Sequence, residues 1–223
     1  MNQITPVAAI PAERHGRGSA ALLGGAALAA LLFVAVAALP YYLRFDEAQF
    51  KQYWPMRGWL LVHISMGMVA LLAGPVQLWL GLTDRSLGLH RKLGVAYMLA
   101  ITLSAAAGYY LAFHTSGGVV FGSGLVGLAT AWLTTTGLAY LAIRRHLYEQ
   151  HKEWMIRSYV VTFGFVTFRA FEPVLERFGV PVLDAIGIAA WACWTMPLLA
   201  NEAVMQGRKI LQVRPEQWTV SAE

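Results

Sequence analysis

The sequence predicts an all-α fold, a polytopic transmembrane bundle of six helices with both termini in the cytoplasm. Three observations support this prediction. Of the 223 residues, 57% are hydrophobic and only 13% are charged, whereas a soluble domain carries about 25% charged residues. The apolar residues fall into six runs, and most basic residues lie between alternate runs. This composition argues against soluble enzymes and against fibrous or disordered proteins.

Each apolar run approaches the roughly 20 residues that a helix needs to cross the hydrocarbon core. We expect a cytoplasmic tail at 1–18, a membrane domain at 19–205 and a second cytoplasmic tail at 206–223. The six spans are expected at about 19–40, 58–82, 91–113, 119–143, 152–171 and 184–205. The runs are continuous and do not alternate, which favours helices over the strands of a membrane barrel.

The first and fifth spans need separate justification. The first follows two arginines, as a signal peptide would, but it is longer than the roughly 7–15 apolar residues of a signal sequence, so we expect a membrane anchor. The fifth is uncharged only over 158–168 and reaches span length by including Arg157 or Arg169. We expect Glu172 to pair with Arg169 across one turn, and Pro173 to end the helix.

Lysine and arginine counts predict the orientation. Twelve of the 17 lie in the tails and in the regions that follow the second and fourth spans, and the remaining five are Arg44, Lys51, Arg57, Arg169 and Arg177. Because basic residues collect in cytoplasmic loops, both termini are expected on the cytoplasmic side of the inner (plasma) membrane. The net charge of +5 therefore points to the lipid bilayer as partner and not to nucleic acid.

The segment between the first and second spans, about 41–57, is rich in aromatic residues. We expect a short interfacial helix whose Phe45, Phe50, Tyr53 and Trp54 face lipid. Elsewhere the sequence lacks a glycine-rich phosphate loop and an HExxH motif. Its single cysteine, Cys193, excludes an intrachain disulfide and a cysteine-based zinc site.

Polar residues within the spans concentrate on the second, third and fifth. They recur every three or four residues and so share one helix face. The three faces are His63, Gly67, Ala70, Gly74 and Gln77; His90, Gly94, Tyr97, Ser104 and Gly108; and His151, Trp154, Ser158, Thr162, Phe165 and Arg169. Such faces pack against neighbouring helices, and Pro75 is expected to free a backbone carbonyl. Spacing leaves two interpretations open, tight packing alone or a slot that holds a flat cofactor.

Four groups of residues carry a family resemblance. They are His63 with Gly74-Pro75 and Gln77; His90-Arg91 with Gly94 and Tyr97; His151 with Trp154-Met155 and Arg157; and Arg169 before Glu172-Pro173. From about Arg57 to Pro173 the chain resembles a bacterial family of predicted membrane proteins catalogued as a domain of unknown function. The resemblance implies six or seven membrane helices and no established activity.

The histidines also resemble those of di-haem b-type membrane cytochromes and ferric-reductase-like membrane domains. That resemblance implies haem b, whose iron takes imidazoles from facing helices. His63 and His114 would lie near the outer side and His90 and His151 near the inner side. The sequence departs from the cytochrome pattern in its fourth span, which has no histidine before His146.

A functional centre is expected among the second, third and fifth spans, because polar groups are costly in lipid. His63 and His151 are the expected haem-iron ligands, and the further expected cofactor contacts are His90, His114, Arg169, Tyr97 and Gln77. The first functional hypothesis is electron transfer by haem b, with a quinone or another redox partner.

Two other functions stay open. The second hypothesis is transport of a small solute or proton along His63, Gln77, Arg169 and Glu172. The third is a non-catalytic assembly or interaction subunit that packs through its glycine-rich faces, including packing as a homo-oligomer. The sequence does not decide whether the protein is an enzyme.

Overall fold

The computed structural model describes residues 17–83 and 85–212, and over these ranges all regular secondary structure is helical. The helices are α1 (Arg17–Phe33), α2 (Pro40–Leu43), α3 (Glu47–Phe50), α4 (Arg57–Thr83), α5 (Leu87–Phe113), α6 (Gly118–Arg144), α7 (Tyr148–Thr162), α8 (Gly164–Arg177) and α9 (Val182–Gln212). A π-helical turn, Val34–Ala38, continues α1, and a 3-10 helix, Lys51–Met56, leads into α4. Residues 1–16 of the predicted tail 1–18 and residues 213–223 of the tail 206–223 lie outside the described residues.

Five segments are long and apolar enough to cross a membrane. They are Ala20–Leu43, Glu47–Thr83, Leu87–Phe113, Gly118–Arg144 and Val182–Leu211. The predicted all-α membrane bundle is thus confirmed, with each predicted span helical. The helices of the third and sixth predicted spans are longer than expected, because α5 begins at Leu87 and α9 continues to Gln212.

The fifth span departs from the prediction in two ways. It is divided at Phe163 into α7 and α8, and α8 runs past Pro173 to Arg177 instead of ending there. The division coincides with a hydroxyl that competes with the helix, since Thr162 Oγ1 donates to Ser158 O at 2.8 Å. Such bonds bend helices. A proline inside a membrane helix is tolerated because neighbouring groups satisfy the backbone it disturbs.

The segment that precedes α4 is helical, as expected, but two of the four aromatic residues expected to face lipid, Phe50 and Tyr53, lie against the bundle instead. Phe50 is 1% exposed and packs against Leu60 and Leu111. The rings of Tyr41, Phe45 and Trp54 lie against it, with centroids between 5.2 and 5.7 Å away. The prediction that Phe50 faces lipid is therefore wrong, because this ring anchors the segment to the bundle.

Spans that follow one another along the chain pack antiparallel, whereas α6 and α9 pack parallel. α4 lies along α5, α6 lies against α5, α7 and α9, and α8 lies against α9, while α1 contacts mainly α4. We call one end of the bundle the terminal end. It carries the α4–α5 and α6–α7 turns and the last turn of α9. The opposite end, called the far end, carries the segment before α4 and the α5–α6 and α8–α9 turns. A hydrogen bond between Gln52 and Ser116 joins the segment before α4 to the α5–α6 turn.

Two carbonyls that prolines leave without a backbone donor accept hydrogen bonds from hydroxyls of the divided helix. Pro75 in α4 lacks an N–H, so Leu71 O loses its usual donor; Tyr159 Oη of α7 donates to it at 3.3 Å. Pro197 in α9 likewise frees Cys193 O, to which Thr167 Oγ1 of α8 donates at 2.6 Å. The freed carbonyl predicted at Pro75 is present. The α7–α8 unit is thus bonded to α4 at Pro75 and to α9 at Pro197.

Candidate functional site

The half of the bundle near the terminal end contains a buried network of hydroxyl groups. Tyr97 Oη lies 3.0 Å from Ser158 Oγ and 2.8 Å from Thr162 Oγ1, and Ser158 Oγ lies 2.8 Å from Thr136 Oγ1. Trp132 Nε1 donates to Thr162 Oγ1 at 2.8 Å. All five side chains are buried. The network joins α5, α6 and α7, and every hydroxyl in it has a partner, which rigidifies a core.

At the terminal end itself, Arg157 fixes α7 to α9. It is 8% exposed, and its Nε and Nη2 donate to the two carboxylate oxygens of Glu202 at 2.8 and 2.9 Å. Its guanidinium also lies 4.7 Å above the Trp154 ring centroid. Lys209 Nζ lies 2.6 Å from Glu153, which contacts Arg157 at 3.5 Å. The bidentate geometry is that of a strong, fully used ion pair.

Gln77 and His90 form the contact between α4 and α5 near the same end. Gln77 Nε2 donates to His90 O at 2.8 Å and lies 3.4 Å from His90 Nε2. A Cβ on Gly94 would lie 2.8 Å from Gln77 Nε2, and one on Gly81 would lie 3.0 Å from His90 Cε1. Small residues thus make room for two polar ones, as the packing interpretation of these faces predicts.

His63 is the polar residue that marks the half of the bundle near the far end. Its Nδ1 lies 2.9 Å from Ser104 O, and Ser104 Oγ donates to His63 O at 2.9 Å. A carbonyl oxygen only accepts hydrogen bonds, so Nδ1 carries the hydrogen and Nε2 of the neutral ring keeps a lone pair. A Cβ on Gly108 would lie 3.3 Å from this ring, and Phe165 meets it edge-on with centroids 5.1 Å apart.

A cavity of about 200 Å³ lies beside His63. Its walls are mostly apolar and come from every long helix, including α1, and among its lining residues are Phe33, Ala37, Tyr41, Tyr53, His63, Gly67, Gly108, Phe121, Trp132, Thr162, Phe165, Phe168, Arg169 and Cys193. A concave apolar site with a few polar groups is the usual form of a small-molecule pocket. Thr162 joins the cavity to the buried hydroxyl network.

Arg169 supplies the cationic side chain of the cavity. Its side chain is 54% exposed, and its Nη1 lies 3.4 Å from Glu172 Oε2, so the pair expected from spacing is formed. The guanidinium also lies 5.9 Å from the Phe168 ring centroid. The division of the fifth span at Phe163 positions α8, and with it Phe165 and Arg169, along the cavity.

The other expected ligands lie away from this cavity. His114 Nδ1 bonds to Tyr110 O at 2.7 Å, and its ring stacks on Tyr110 with centroids 4.2 Å apart. His151 Nδ1 bonds to Ala139 O at 2.9 Å. Neither these residues nor His90, Tyr97 or Gln77 line the cavity. The structure does not bring His114 to the cavity that His63 lines, and the Nδ1 atoms of the two rings bond to different backbone carbonyls.

The depths of His63 and His151 along the bundle are counted from the contact between Gly74 and Tyr159. A Cβ on Gly74 would lie 2.1 Å from the Tyr159 ring, so these two residues lie at the same depth. At 1.5 Å per residue, His63 lies about 16 Å from this level towards the far end. His151 lies about 12 Å from it towards the terminal end. Two groups so far apart do not share one iron, so the expected ligands His63 and His151 belong to separate places.

Sequence reasoning missed several residues of the two regions. Trp132 and Thr136 face the buried network from the fourth span, which in sequence is only an apolar run without a histidine. Glu202, the partner of Arg157, lies 45 residues away in sequence. Phe121, Tyr41 and Tyr53 reach the cavity from three further segments. Only the three- and four-residue spacing of the polar faces is visible in the sequence, and it identifies no partner across helices.

Comparison with known proteins agrees with this architecture. In the part of the chain that the structure describes, no group of three or more His, Cys, Asp or Glu side chains is arranged to hold a metal ion. No curated protein and no solved structure matches the sequence. The family described as predicted membrane protein (DUF2306) matches residues 60–205, which extends beyond the resemblance that ends at Pro173 and takes in most of α9. The chain therefore belongs to the DUF2306 family of predicted membrane proteins.

Proposed function

We propose that the protein holds a flat, apolar ring compound in the far-end cavity, with His63 Nε2 as its polar contact, and that this compound is haem b. The observation that supports the proposal is that His63 is the described histidine that lines this cavity. Its Nδ1 donates to a backbone carbonyl at 2.9 Å, which is the outer-shell contact that orients an imidazole for binding a metal through Nε2. Bound haem would supply one-electron redox chemistry in the membrane.

The chemistry of the residues around His63 suits such a group, although its size exceeds the cavity. Gly108 leaves room for the imidazole, and the rings of Phe165 and Phe168 supply apolar walls. Among the described histidines, His63 is the one that lines the cavity. The chain therefore offers the iron one imidazole here, in contrast to the two per haem that the cytochrome resemblance implies.

A ring of this size needs more room than about 200 Å³, so one wall has to move. The wall best suited to move is the first apolar segment, Ala20–Leu43. Only 11% of it is buried in the bundle, against 28–44% for the other four membrane-length segments. The same segment contains the π-helical turn Val34–Ala38, and Ala37 and Ala38 line the cavity. Turns of this kind are frequent at functional sites.

An absorption titration tests the proposal. Purified protein in detergent is titrated with hemin, and a Soret band that saturates at one equivalent and shifts on dithionite reduction is expected. His63→Ala should abolish the saturable band, and His114→Ala and His151→Ala should keep it. A wild-type protein without a saturable band would overturn the haem proposal. Loss of the band in His151→Ala but not in His63→Ala would move the site to the terminal end.

A lipid-soluble quinol is the second candidate ligand. The observation that favours it is the cavity volume, because a single small ring fits about 200 Å³ without movement of α1. The quinol hydroxyl would donate a hydrogen bond to His63 Nε2, the same atom that would bind the haem iron in the first proposal. Organic extraction of protein purified from its membrane, with chromatography of the extract, tests this alternative. A quinone retained by wild type and absent from His63→Ala, without a hemin-dependent Soret band, would support the quinol.

A further inference from the structure

The cavity beside His63 is long and narrow. Its lining residues run from Leu60 to Leu71 on α4 and from Phe121 to Trp132 on α6. Eleven residues separate the ends of each run, so at 1.5 Å per residue both helices give the cavity a length of about 16 Å. A volume of about 200 Å³ spread over this length leaves a mean open cross-section of about 12 Å². The space is therefore shaped for a chain or for a small ring, and a broad plate enters it only if a wall moves.

His63 divides this length unequally. On α4 it lies three residues from Leu60 and eight residues from Leu71. The imidazole is therefore about 4–5 Å from the far-end limit of the cavity and about 12 Å from the limit in the middle of the bundle. We call the shorter division the far-end part and the longer one the inner part. A ligand held by His63 has most of the cavity on one side of its polar contact.

The inner part offers a ligand almost no polar contact. Its walls are apolar side chains from four helices, namely Met68, Ala105, Leu128 and Phe165. It ends at Trp132 and Thr162, whose polar groups are already paired, since Trp132 Nε1 donates to Thr162 Oγ1 at 2.8 Å. A hydrocarbon chain gains dispersion contacts along such walls, whereas an added polar group would be desolvated without a partner.

From this shape we infer that the ligand carries one straight hydrocarbon chain of limited length, which lies in the inner part, and a hydroxyl-bearing ring beside His63. The inference rests on the quinol of the proposed function and narrows it. Tyr41, Tyr53 and Phe121 line the far-end part, and aromatic walls suit a ring. At about 1.2 Å of extended chain per bond, the inner part accepts about eight to ten carbons. A longer tail has no room behind the ring.

A series of 2-n-alkylphenols, from ethyl to tetradecyl, tests the inference, because each compound has a ring hydroxyl next to a straight chain. Dissociation constants are measured by titration calorimetry in one detergent and expressed as mole fractions in the micelle, so that partition into detergent cancels. Wild type is compared with His63→Ala, Ala105→Leu and Ala106→Leu. Ala106 is the matched control for Ala105, because it is exposed on the same helix and does not line the cavity.

Wild type and Ala106→Leu should bind the octyl and decyl compounds at least about 10-fold more tightly than the ethyl or tetradecyl compound, because the chain fills the cavity until it reaches the closed end. Ala105→Leu, whose added carbons enter the inner part, should move the optimum to about the butyl compound. His63→Ala should weaken the binding of every compound about 10-fold and keep the optimum, because only the hydroxyl contact is lost.

A wild-type affinity that ignores chain length, or that rises up to the longest chain, would overturn the inference, and a loss of affinity in His63→Ala would then leave the proposed function standing. An optimum that Ala105→Leu does not move would also overturn it, by placing the chain elsewhere. If Ala105→Leu does not fold, the wild-type series decides. An optimum with equal affinities in wild type and His63→Ala would support the enclosed chain and overturn the His63 contact of the proposed function.

Discussion

The two halves of the bundle are built differently. In the terminal half, each buried hydroxyl of the Tyr97–Ser158–Thr162 network has a partner, and Arg157 is saturated by Glu202. In the far half, His63 lines a cavity of about 200 Å³, and its Nδ1 bonds to Ser104 O. Packing explains the hydroxyl network and Arg157 of the terminal half, but it leaves Gln77 Oε1 there buried without a hydrogen-bond partner among the described residues. His63 in the far half faces a space that packing leaves open.

This difference teaches that intramembrane polar residues need not share one purpose. Polar groups in lipid are costly and so invite a functional explanation, but satisfied networks are equally a way to specify helix contacts. The deciding feature is whether a polar atom is turned to a protein partner or to a cavity. By that criterion we propose a ligand-binding role for His63 and a structural role for Tyr97 and Arg157.

The prediction with the largest expected effect concerns topology, that is, the side of the membrane on which each half of the bundle lies. The excess of Lys and Arg in the tails and in the loops of the terminal end predicts that this end is cytoplasmic. Reporter fusions after Arg85 and Arg145 should behave as cytoplasmic, and one after Gly117 as external. The reversed pattern would place the cavity at the cytoplasmic face and refute the orientation.

The next largest effect is expected at Arg157. Breaking a buried ion pair costs about 3–5 kcal/mol, and the 39% exposure of the Glu202 side chain should bring Arg157→Met to the lower part of that range. Thermal unfolding in detergent measures the loss. Arg145→Met, at an exposed arginine of the same end, should change stability by less than about 0.5 kcal/mol. Equal melting temperatures for the two variants would show that the terminal half is not held by this cluster.

A smaller effect separates two glycines seven residues apart in α4. A Cβ on Gly74 would lie 2.1 Å from the Tyr159 ring, whereas one on Gly67 would lie 3.6 Å from Ser104 Oγ beside the cavity. Gly74→Ala should therefore destabilise the fold by about 1–3 kcal/mol. Gly67→Ala should be neutral or stabilising by up to about 1 kcal/mol, the helix-propensity gain. Thermal unfolding in detergent measures both, and equal losses would contradict the contrast between a filled and an open half.

The smallest expected effect is at Tyr97. Tyr97→Phe removes one hydroxyl from the buried network, while Ser158 and Thr162 keep Thr136 and Trp132 as partners. Hydrogen bonds in membrane proteins contribute about 0.6 kcal/mol on average and up to about 1.7, so a loss within that range is expected on unfolding. Hemin binding should be unchanged, because Tyr97 does not line the cavity. A variant that unfolds normally but no longer binds hemin would instead assign Tyr97 to the site.

Much of the fold follows from the sequence, because apolar runs of span length leave few alternatives to a helix bundle. The division of the fifth span does not follow in this way. The hydroxyl bond of Thr162 is found there, but Thr130 and Thr136 make the same bond within the undivided α6. Gly164 also packs closely against Leu128 at the division, a neighbour that periodicity does not reveal. Pro173 is likewise a weaker stop signal here than in a soluble helix, since the surrounding bundle tolerates it inside α8.

The site is predictable only in part. The three- and four-residue spacing identifies the faces that carry His63, Gly67 and Ser104, and these residues do meet. The same spacing also predicts that Gln77 and Tyr97 belong to one functional centre with His63, but neither residue lines the cavity. Spacing identifies the helix face on which a residue lies and not its depth along the bundle. The distinction between a ligand-facing and a packing role requires the partner atoms. Those partners, such as Glu202 for Arg157, are distant in sequence.

The most direct test of the central claim is chemical rescue at His63. His63→Gly removes the imidazole and leaves a space beside the cavity into which free imidazole can enter. We predict that this variant, titrated with hemin, shows no saturable Soret band alone and regains it when imidazole is added, whereas His151→Gly behaves as wild type throughout. A wild-type Soret titration by His63→Gly without imidazole would contradict the assignment of the site to the far half of the bundle.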